Sequence, residues 1–253
     1  MDDLREKVCL VTGASTGIGA AVARALGGHG ASVAVHYHRS ADEAKRVVED
    51  IGKGGSRAIL LQGDVGDRAV AGRLVADTVA AFGRLDVLIN NAGGPLRRCE
   101  FVETSDAFYD ELMDLNLRSV FATCRAAVPW FRGQGSGTII NTTSVAARHG
   151  GGPGALVYAA AKAAVNNLTR GLAKELAPHR IRVNAISPGV VLTPIHERLS
   201  TPAIMEAFVR SVPLGRGAAA KECVGAFLFL ASERLSSYVT GQVLEVNGGQ
   251  FMP

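Results

Sequence analysis

Tyr158 and Lys162 stand four residues apart in Tyr158-Ala159-Ala160-Ala161-Lys162. On a helix that spacing puts both side chains on one face, about one turn apart. A tyrosine hydroxyl with a pKa of about 10 is a poor base at neutral pH. A neighbouring ammonium favours its phenolate and brings proton exchange with a substrate oxygen within reach. The same pentapeptide also suits an amphipathic helix carrying an incidental Tyr/Lys pair, so the spacing alone does not decide.

A second group of residues could hold a phosphate. Gly13, Ser15, Thr16, Gly17, Ile18 and Gly19 follow an apolar run at 7–12 and open a helical pattern at 17–29. Glycines let a backbone turn sharply and approach a pyrophosphate, while a helix amino terminus offers unpaired N–H groups and positive potential. Inside a strand–turn–helix unit this pattern points to a dinucleotide. Asp64 and Val65 follow a later apolar run, where the carboxylate can bond an adenine amino group or cap the next helix. Asn91, Ala92 and Gly93 end another run with small residues, which suits either close backbone approach or a plain turn.

A third group concerns which dinucleotide is accepted. About twenty residues past the glycines, an acid at the end of the second strand would bind the ribose hydroxyls of NAD. The sequence has Tyr37, His38, Arg39 and Ser40 there, and no Asp or Glu from Val33 through Ala41. Without a carboxylate, a 2′-phosphate meets no repulsion, and Arg39 offers it a planar, permanently charged clamp. Ser40 can add a hydroxyl or cap the helix beginning at Ala41, and Asp42 suits that helix's first turn. This favours NADP(H) over NAD(H).

The elements that must position these residues are legible as alternating periodicities. Strand candidates fall at 7–12, 32–37, 57–62, 85–90, 138–141, 182–186 and 242–246. Helical patterns fall at 17–29, 41–51, 67–82, 106–132, 156–177 and 219–232. Strands this apolar suit a sheet covered on both faces. The expected fold is α/β, a Rossmann-type doubly wound, seven-stranded parallel sheet flanked by helices, forming one dinucleotide-binding and catalytic domain over 1–253. The long irregular stretch at 188–217 is expected to be a substrate loop or lid.

Bulk properties narrow the alternatives. The formal charge of +4 comes from scattered basic residues interleaved with acids, and aromatics make up 6%, so neither a nucleic-acid tract nor a base-stacking platform is present. Cys9, Cys99, Cys124 and Cys223 are far apart and read as reduced thiols. No metal site is expected: the histidines form no ligand cluster, and His149, His179 and His196 read as loop or surface residues. The charged start and the lack of a long apolar run point to a cytoplasmic protein with no membrane partner.

Taken together and in order, TGASTGIG, NNAG, Ser144 in TTSVA, YAAAK, Pro188-Gly189 and a closing VNGG resemble short-chain dehydrogenase/reductases of the classical type over essentially the whole chain. The resemblance implies Tyr158 as general acid/base, with Lys162 lowering its pKa and bonding the nicotinamide ribose. It implies Ser144 holding the substrate carbonyl and Asn116 anchoring a water in a proton relay. It also implies Pro188, Gly189, Val191 and Thr193 beside the nicotinamide, and a homotetramer built on the long helices. Ser144 lies in TTSVA, outside the G-x-S-x-G setting of a hydrolase nucleophile. The implied activity is hydride transfer between NADP(H) and a small-molecule carbonyl or secondary alcohol, whether a 3-oxoacyl carrier or another ketone. The alternatives are an NAD-dependent sugar, polyol or other alcohol dehydrogenase, and a non-catalytic dinucleotide-binding regulator. The stretch 148–158 departs from the Asn-containing approach to tyrosine common in 3-oxoacyl reductases, which leaves the substrate class open.

Overall fold

In the computed structural model all 253 residues are described, apart from the side chains of His196 and Glu197. The strands are β1 (Val8–Val11), β2 (Ser32–Tyr37), β3 (Ala58–Gln62), β4 (Val87–Asn90), β5 (Gly137–Thr142), β6 (Ile181–Pro188), β7 (Val191–Leu192), β8 (Ala218–Ala219) and β9 (Val243–Val246). Seven of them form one sheet in the order β3-β2-β1-β4-β5-β6-β9, with every pairing parallel. Strands β7 and β8 pair separately. The order reverses at β1, between β2 and β4, and that opens a crevice at the carboxyl edge.

The helices are α1 (Gly17–Gly28), α2 (Ala41–Lys53), α3 (Val70–Phe82), α4 (Asp106–Met113), α5 (Ser119–Gln134), α6 (Ala146–His149), α7 (Leu156–Leu176), α8 (Pro194–Leu199), α9 (Pro202–Arg210), α10 (Lys221–Ala231) and α11 (Glu233–Ser236). The strands lack polar alternation because both of their faces are buried. Within that uniform apolarity, successive residues still divide between two cores. Cys9, Val11, Val33, Val35, Val87 and Ile89 pack under α1, α2 and α10. Leu10, Ala34 and Leu88 pack under α3, α5 and α7 on the other face.

Two expectations from sequence are corrected. The helix read as continuous over 106–132 is broken by a π-helical turn at Asp114–Arg118. The stretch 188–217 is not irregular: it contains β7, α8 and α9, with Thr201 capping α9 through a hydrogen bond from the Ile204 N–H. Short helices separated by single polar caps carry too few apolar repeats to stand out as periodic. His149 and His179 are exposed, as read from sequence, whereas the reading of His196 lies outside the described residues. No helix among the described residues is long and apolar enough to cross a membrane.

Near the carboxyl ends of the central strands, a buried polar chain crosses the sheet. Thr123 of α5 donates to Asn90 Oδ1 at 2.6 Å, Asn90 Nδ2 donates to Asn141 Oδ1 at 2.9 Å, and Asn141 Nδ2 donates to Thr169 Oγ1 of α7 at 2.9 Å. All four residues are buried, so the chain holds only because each polar group is matched. Asn141→Ala would remove both central bonds of the chain, leaving the Asn90 amide with only the Cys124 Sγ at 3.3 Å and the Thr169 hydroxyl with only its bond to Val165 O. It should cost about 2–4 kcal/mol in urea unfolding; a loss below about 0.5 kcal/mol would show that the chain does not tie α5 to α7.

Candidate active site

The glycine loop leaves β1 at Gly13, whose φ of +62° excludes most side chains. A Cβ there would stand 2.9 Å from Ala92 Cα, and one at Gly19 would stand 2.2 Å from Gly13 O. The loop is therefore packed backbone to backbone. Thr12 Oγ1 accepts the Asn91 and Ala92 N–H groups at 2.9 and 3.0 Å, while Asn91 Nδ2 donates to the carbonyls of Thr12 and Gly13, each at 3.0 Å. The NNAG turn thus acts as a clamp on the loop, which an ordinary Asn/Gly turn would not require. Ser15, Thr16, Gly17 and Ile18 stay partly exposed at the start of α1, and Gly17 faces Thr193, whose methyl would lie 3.2 Å from a Cβ at that glycine. Thr16 occupies the N-cap without a side-chain capping bond.

His36 is a site residue that motif reasoning passed over. It sits in β2, and its Nδ1 accepts the Gly13 N–H at 3.0 Å while its backbone carbonyl accepts the Ala14 N–H at 2.8 Å. With Nδ1 accepting, Nε2 carries the proton and donates to Gly63 O at 3.0 Å. Burial pulls its pKa down to about 4, so the ring is neutral at physiological pH. The available signal was a lone polar side chain at the end of an otherwise apolar strand.

At the end of β2, Tyr37 packs on the core, whereas His38 and Arg39 just beyond it are exposed. Among the described residues no carboxylate pairs with Arg39, while His38 Nε2 stands 3.8 Å from Asp64 Oδ2. Ser40 is the N-cap residue of α2, yet its hydroxyl makes no capping bond, so the capping role considered from sequence is not used. Asp64 Oδ1 accepts the Gly66 N–H at 2.9 Å and shapes the turn after β3 rather than capping α3, which starts at Val70. Val65 is buried.

On the other side of the crevice lie the chemically reactive groups. Lys162 is buried in α7, and its Nζ donates to Thr142 O at the end of β5, at 2.9 Å, and lies 5.8 Å from the centre of the Tyr158 ring. Burial pulls the ammonium's pKa down to about 8. Gly93 makes room for it, since a Cβ at that position would lie 2.9 Å from Nζ and 2.7 Å from Asn116 Oδ1. Asn116, in the π-helical turn, accepts the Gly94 N–H and donates back to Gly94 O, both at 2.9 Å, and donates to Leu112 O at 3.0 Å. Both its amide protons are committed, so its side chain fixes the 93–94 turn against Lys162.

Tyr158 is half-buried, and its hydroxyl faces Ser144. Burial raises its pKa, and a hydrogen bond with Ser144 partly offsets that. Desolvation is the larger of these two effects, so the net shift runs opposite to the lowering expected from Lys162. Ser144 Oγ also accepts the Ala146 N–H at 3.1 Å, in the turn that leads into α6. Its loop is held by the Val145 N–H, which donates to Pro188 O at 2.9 Å. Gly189 packs where a Cβ would lie 2.7 Å from Asn247 Cα. Val191 is buried, and Thr193 Oγ1 donates to Val191 O at 3.3 Å.

The structure therefore brings Ser144, Tyr158, Lys162 and Asn116 together across the crevice from a bare glycine cradle. Such a cradle fits a pyrophosphate, since Gly13, Gly17, Gly19 and Gly93 leave backbone where side chains would intrude. Among the described residues no cluster of His, Cys, Asp and Glu could hold a metal.

Known proteins resemble this chain over nearly its whole length. A family model described as enoyl-(acyl carrier protein) reductase matches residues 13–250. A 3-oxoacyl-[acyl-carrier-protein] reductase of Synechocystis sp. is 39% identical over 252 residues, covering 100% of both chains. The crystal structure of an NADH-dependent reductase, A1-R′, responsible for alginate metabolism superposes with a TM-score of 0.91 at 38% identity, covering 100% of both chains. A short-chain type dehydrogenase/reductase from Mycobacterium marinum gives 0.92 at 35% identity, covering 99% of this chain and 98% of that one.

The neutral His36 gives the site an acid limit. The unfolded chain takes up a proton on this ring near pH 6.5, while the folded chain resists until about pH 4. Its contribution is complete above pH 6.5 and declines as pH falls towards 4. Urea unfolding followed through that window should show a shallower pH slope for His36→Asn than for wild type. An unchanged slope would show that the ring gains its proton without giving up the Gly13 and Gly63 bonds.

Proposed function

Because the chain belongs to the short-chain dehydrogenase/reductase family, we propose that Ser144, Tyr158, Lys162 and Asn116 are its catalytic apparatus and that NADP(H) is its preferred cofactor. The chain is an oxidoreductase of carbonyl and alcohol groups that works with a nicotinamide dinucleotide. The observation that carries the catalytic reading is that Tyr158 lies between Ser144, which its hydroxyl meets, and the buried Lys162 ammonium, 5.8 Å from its ring centre.

A bound nicotinamide supplies or receives the hydride. In reduction, Ser144 hydrogen-bonds the substrate oxygen and stabilises the negative charge that develops on it. Tyr158, protonated at neutral pH because burial raises its pKa, gives its proton to that oxygen. Lys162, charged through most of the physiological range, offsets the phenolate left behind. Asn116 holds Gly94, and with it the turn that packs against the lysine. In oxidation the phenolate is needed at the outset, which places the alcohol reaction at higher pH than the reverse.

The preference for NADP(H) is supported by the exposed Arg39, which no described carboxylate pairs, and by the lack of an acid at the end of β2. NAD(H) is the second reading, favoured by the NADH-dependent alginate-pathway reductase and its structure complexed with NAD. Similarity to 3-oxoacyl-[acyl-carrier-protein] reductases makes a 3-oxoacyl thioester the first substrate to try, with compact ketones as the alternative. We also propose a cytoplasmic homotetramer. Tyr109, Phe121, Trp130 and Leu156 are exposed on α4, α5 and α7, and a matching face on another copy would bury them.

Tyr158→Phe should reduce turnover by about 10²–10⁴-fold while leaving cofactor binding, read by fluorescence, within about twofold. Full turnover in that variant would overturn the assignment. Arg39→Ala should weaken NADPH about tenfold or more while leaving NADH little changed; equal losses would instead support NAD(H). Alcohol oxidation should speed up as pH rises from neutral into the alkaline range, while carbonyl reduction should not.

A further inference from the structure

Arg98 takes no part in the catalytic scheme, yet it joins three segments around Tyr158. It lies in the loop between β4 and α4, next to the turn that Asn116 fixes. Its Nε donates to Leu199 O, the last residue of α8, at 3.0 Å. Its Nη1 donates to Pro153 O, in the loop that leads into α7 and Tyr158, at 2.7 Å. Its guanidinium stands 5.4 Å from the centre of the Phe208 ring in α9.

The surroundings are shaped to bring these partners in. Cys99 N–H donates to Gly154 O at 3.1 Å. Gly154 has φ +71°, and a Cβ on it would lie 2.9 Å from Arg98 Cβ. At Gly152 a Cβ would touch Phe208 at 3.3 Å. Both glycines thus let the 150–155 loop lie flat against Arg98 and α9. The segment carrying α8 and α9 starts over the cofactor cradle: Thr193 faces Gly17, and a Cβ at Gly94 would lie 2.5 Å from Ile195.

We propose that Arg98 is a positioning residue that sets substrate specificity, by fixing α8 and α9 to the wall of the site that carries Tyr158. α9 has no fully buried side chain; Ile204, Met205, Phe208 and Val209 are only half-buried, so a polar tether adds to a modest apolar contact. Two of the guanidinium's nitrogens and its flat face bind two carbonyls and an aromatic ring at once. Among the described residues no carboxylate pairs with it. Desolvation lowers its pKa, so the contact is made at a cost that a dispensable surface arginine would not meet. A lysine cannot take its place, because one ammonium cannot span both carbonyls in the geometry of the fork.

This inference rests on Tyr158 as the group that meets the carbonyl, and its test includes a readout independent of turnover. Hydrogen exchange of the full-length protein should show amides of 194–210 and 150–156 exchanging about tenfold faster in Arg98→Ala, with those of α1 and β5 unchanged. With the same variant, KM for a compact ketone should rise about tenfold while kcat and cofactor affinity change less than about threefold. The ratio of kcat/KM for compact over bulky ketones should fall towards one. Arg98→Lys should restore neither exchange nor selectivity. Unchanged exchange, rescue by lysine, or a loss confined to kcat would each overturn the proposal. If Tyr158→Phe keeps full turnover while the exchange result holds, the catalytic reading fails and the Arg98 tether stands.

Discussion

A buried cation held by a single described carbonyl organises the carboxyl edge of this sheet. The Lys162 ammonium reaches Thr142 O at the end of β5, and an ion in so dry a place is tolerated only if its surroundings are polar and exactingly spaced. Gly93 gives up its side chain to make the room. Asn116 then pins Gly94 with a reciprocal pair of hydrogen bonds. Beneath them, Asn90, Asn141 and Thr169 align β4, β5 and α7, so the lysine's helix cannot shift relative to its acceptor.

The glycine loop is secured by a separate set of bonds, and their chemistry explains its residue types. A loop that must present bare backbone to a ligand cannot be held by its own side chains. The holding groups come from neighbouring strands instead: Thr12 and Asn91 from the ends of β1 and β4, and the neutral His36 from β2. Both halves of the crevice therefore depend on the 91–94 turn. Its first residues clamp the loop, and its last two make space for the lysine and bond the asparagine.

Sequence patterns conveyed the sheet well because a doubly covered strand is apolar throughout and short, whatever packs on it. The seven strands of the main sheet, the glycine cradle and the Tyr158/Lys162 face all followed from local pattern. The π-helical turn did not, because an extra residue in one turn leaves the apolar repeat almost intact on either side. The helices α8 and α9 were likewise hidden, since a mixed polar and apolar stretch does not reveal whether its apolar side has anything to cover. Ser144 and Asn116 came from resemblance alone: a serine in TTSVA and an asparagine in a helical run carry no chemical signature of their own.

By itself the sequence determined the α/β class, the position of the cradle, the Tyr/Lys pairing and the absence of an acid after β2, because each is set by spacing within one element or its immediate turn. Only the tertiary structure decided the protonation and the partners. That His36 is neutral and holds Gly13, and that burial raises the Tyr158 pKa and depresses that of Lys162, depends on how much water the packed neighbours exclude. So does the use of Arg98 as a tether between segments separated by 55 and 101 residues. Desolvation and long-range hydrogen bonding belong to the assembled fold, and no local window of residues contains them.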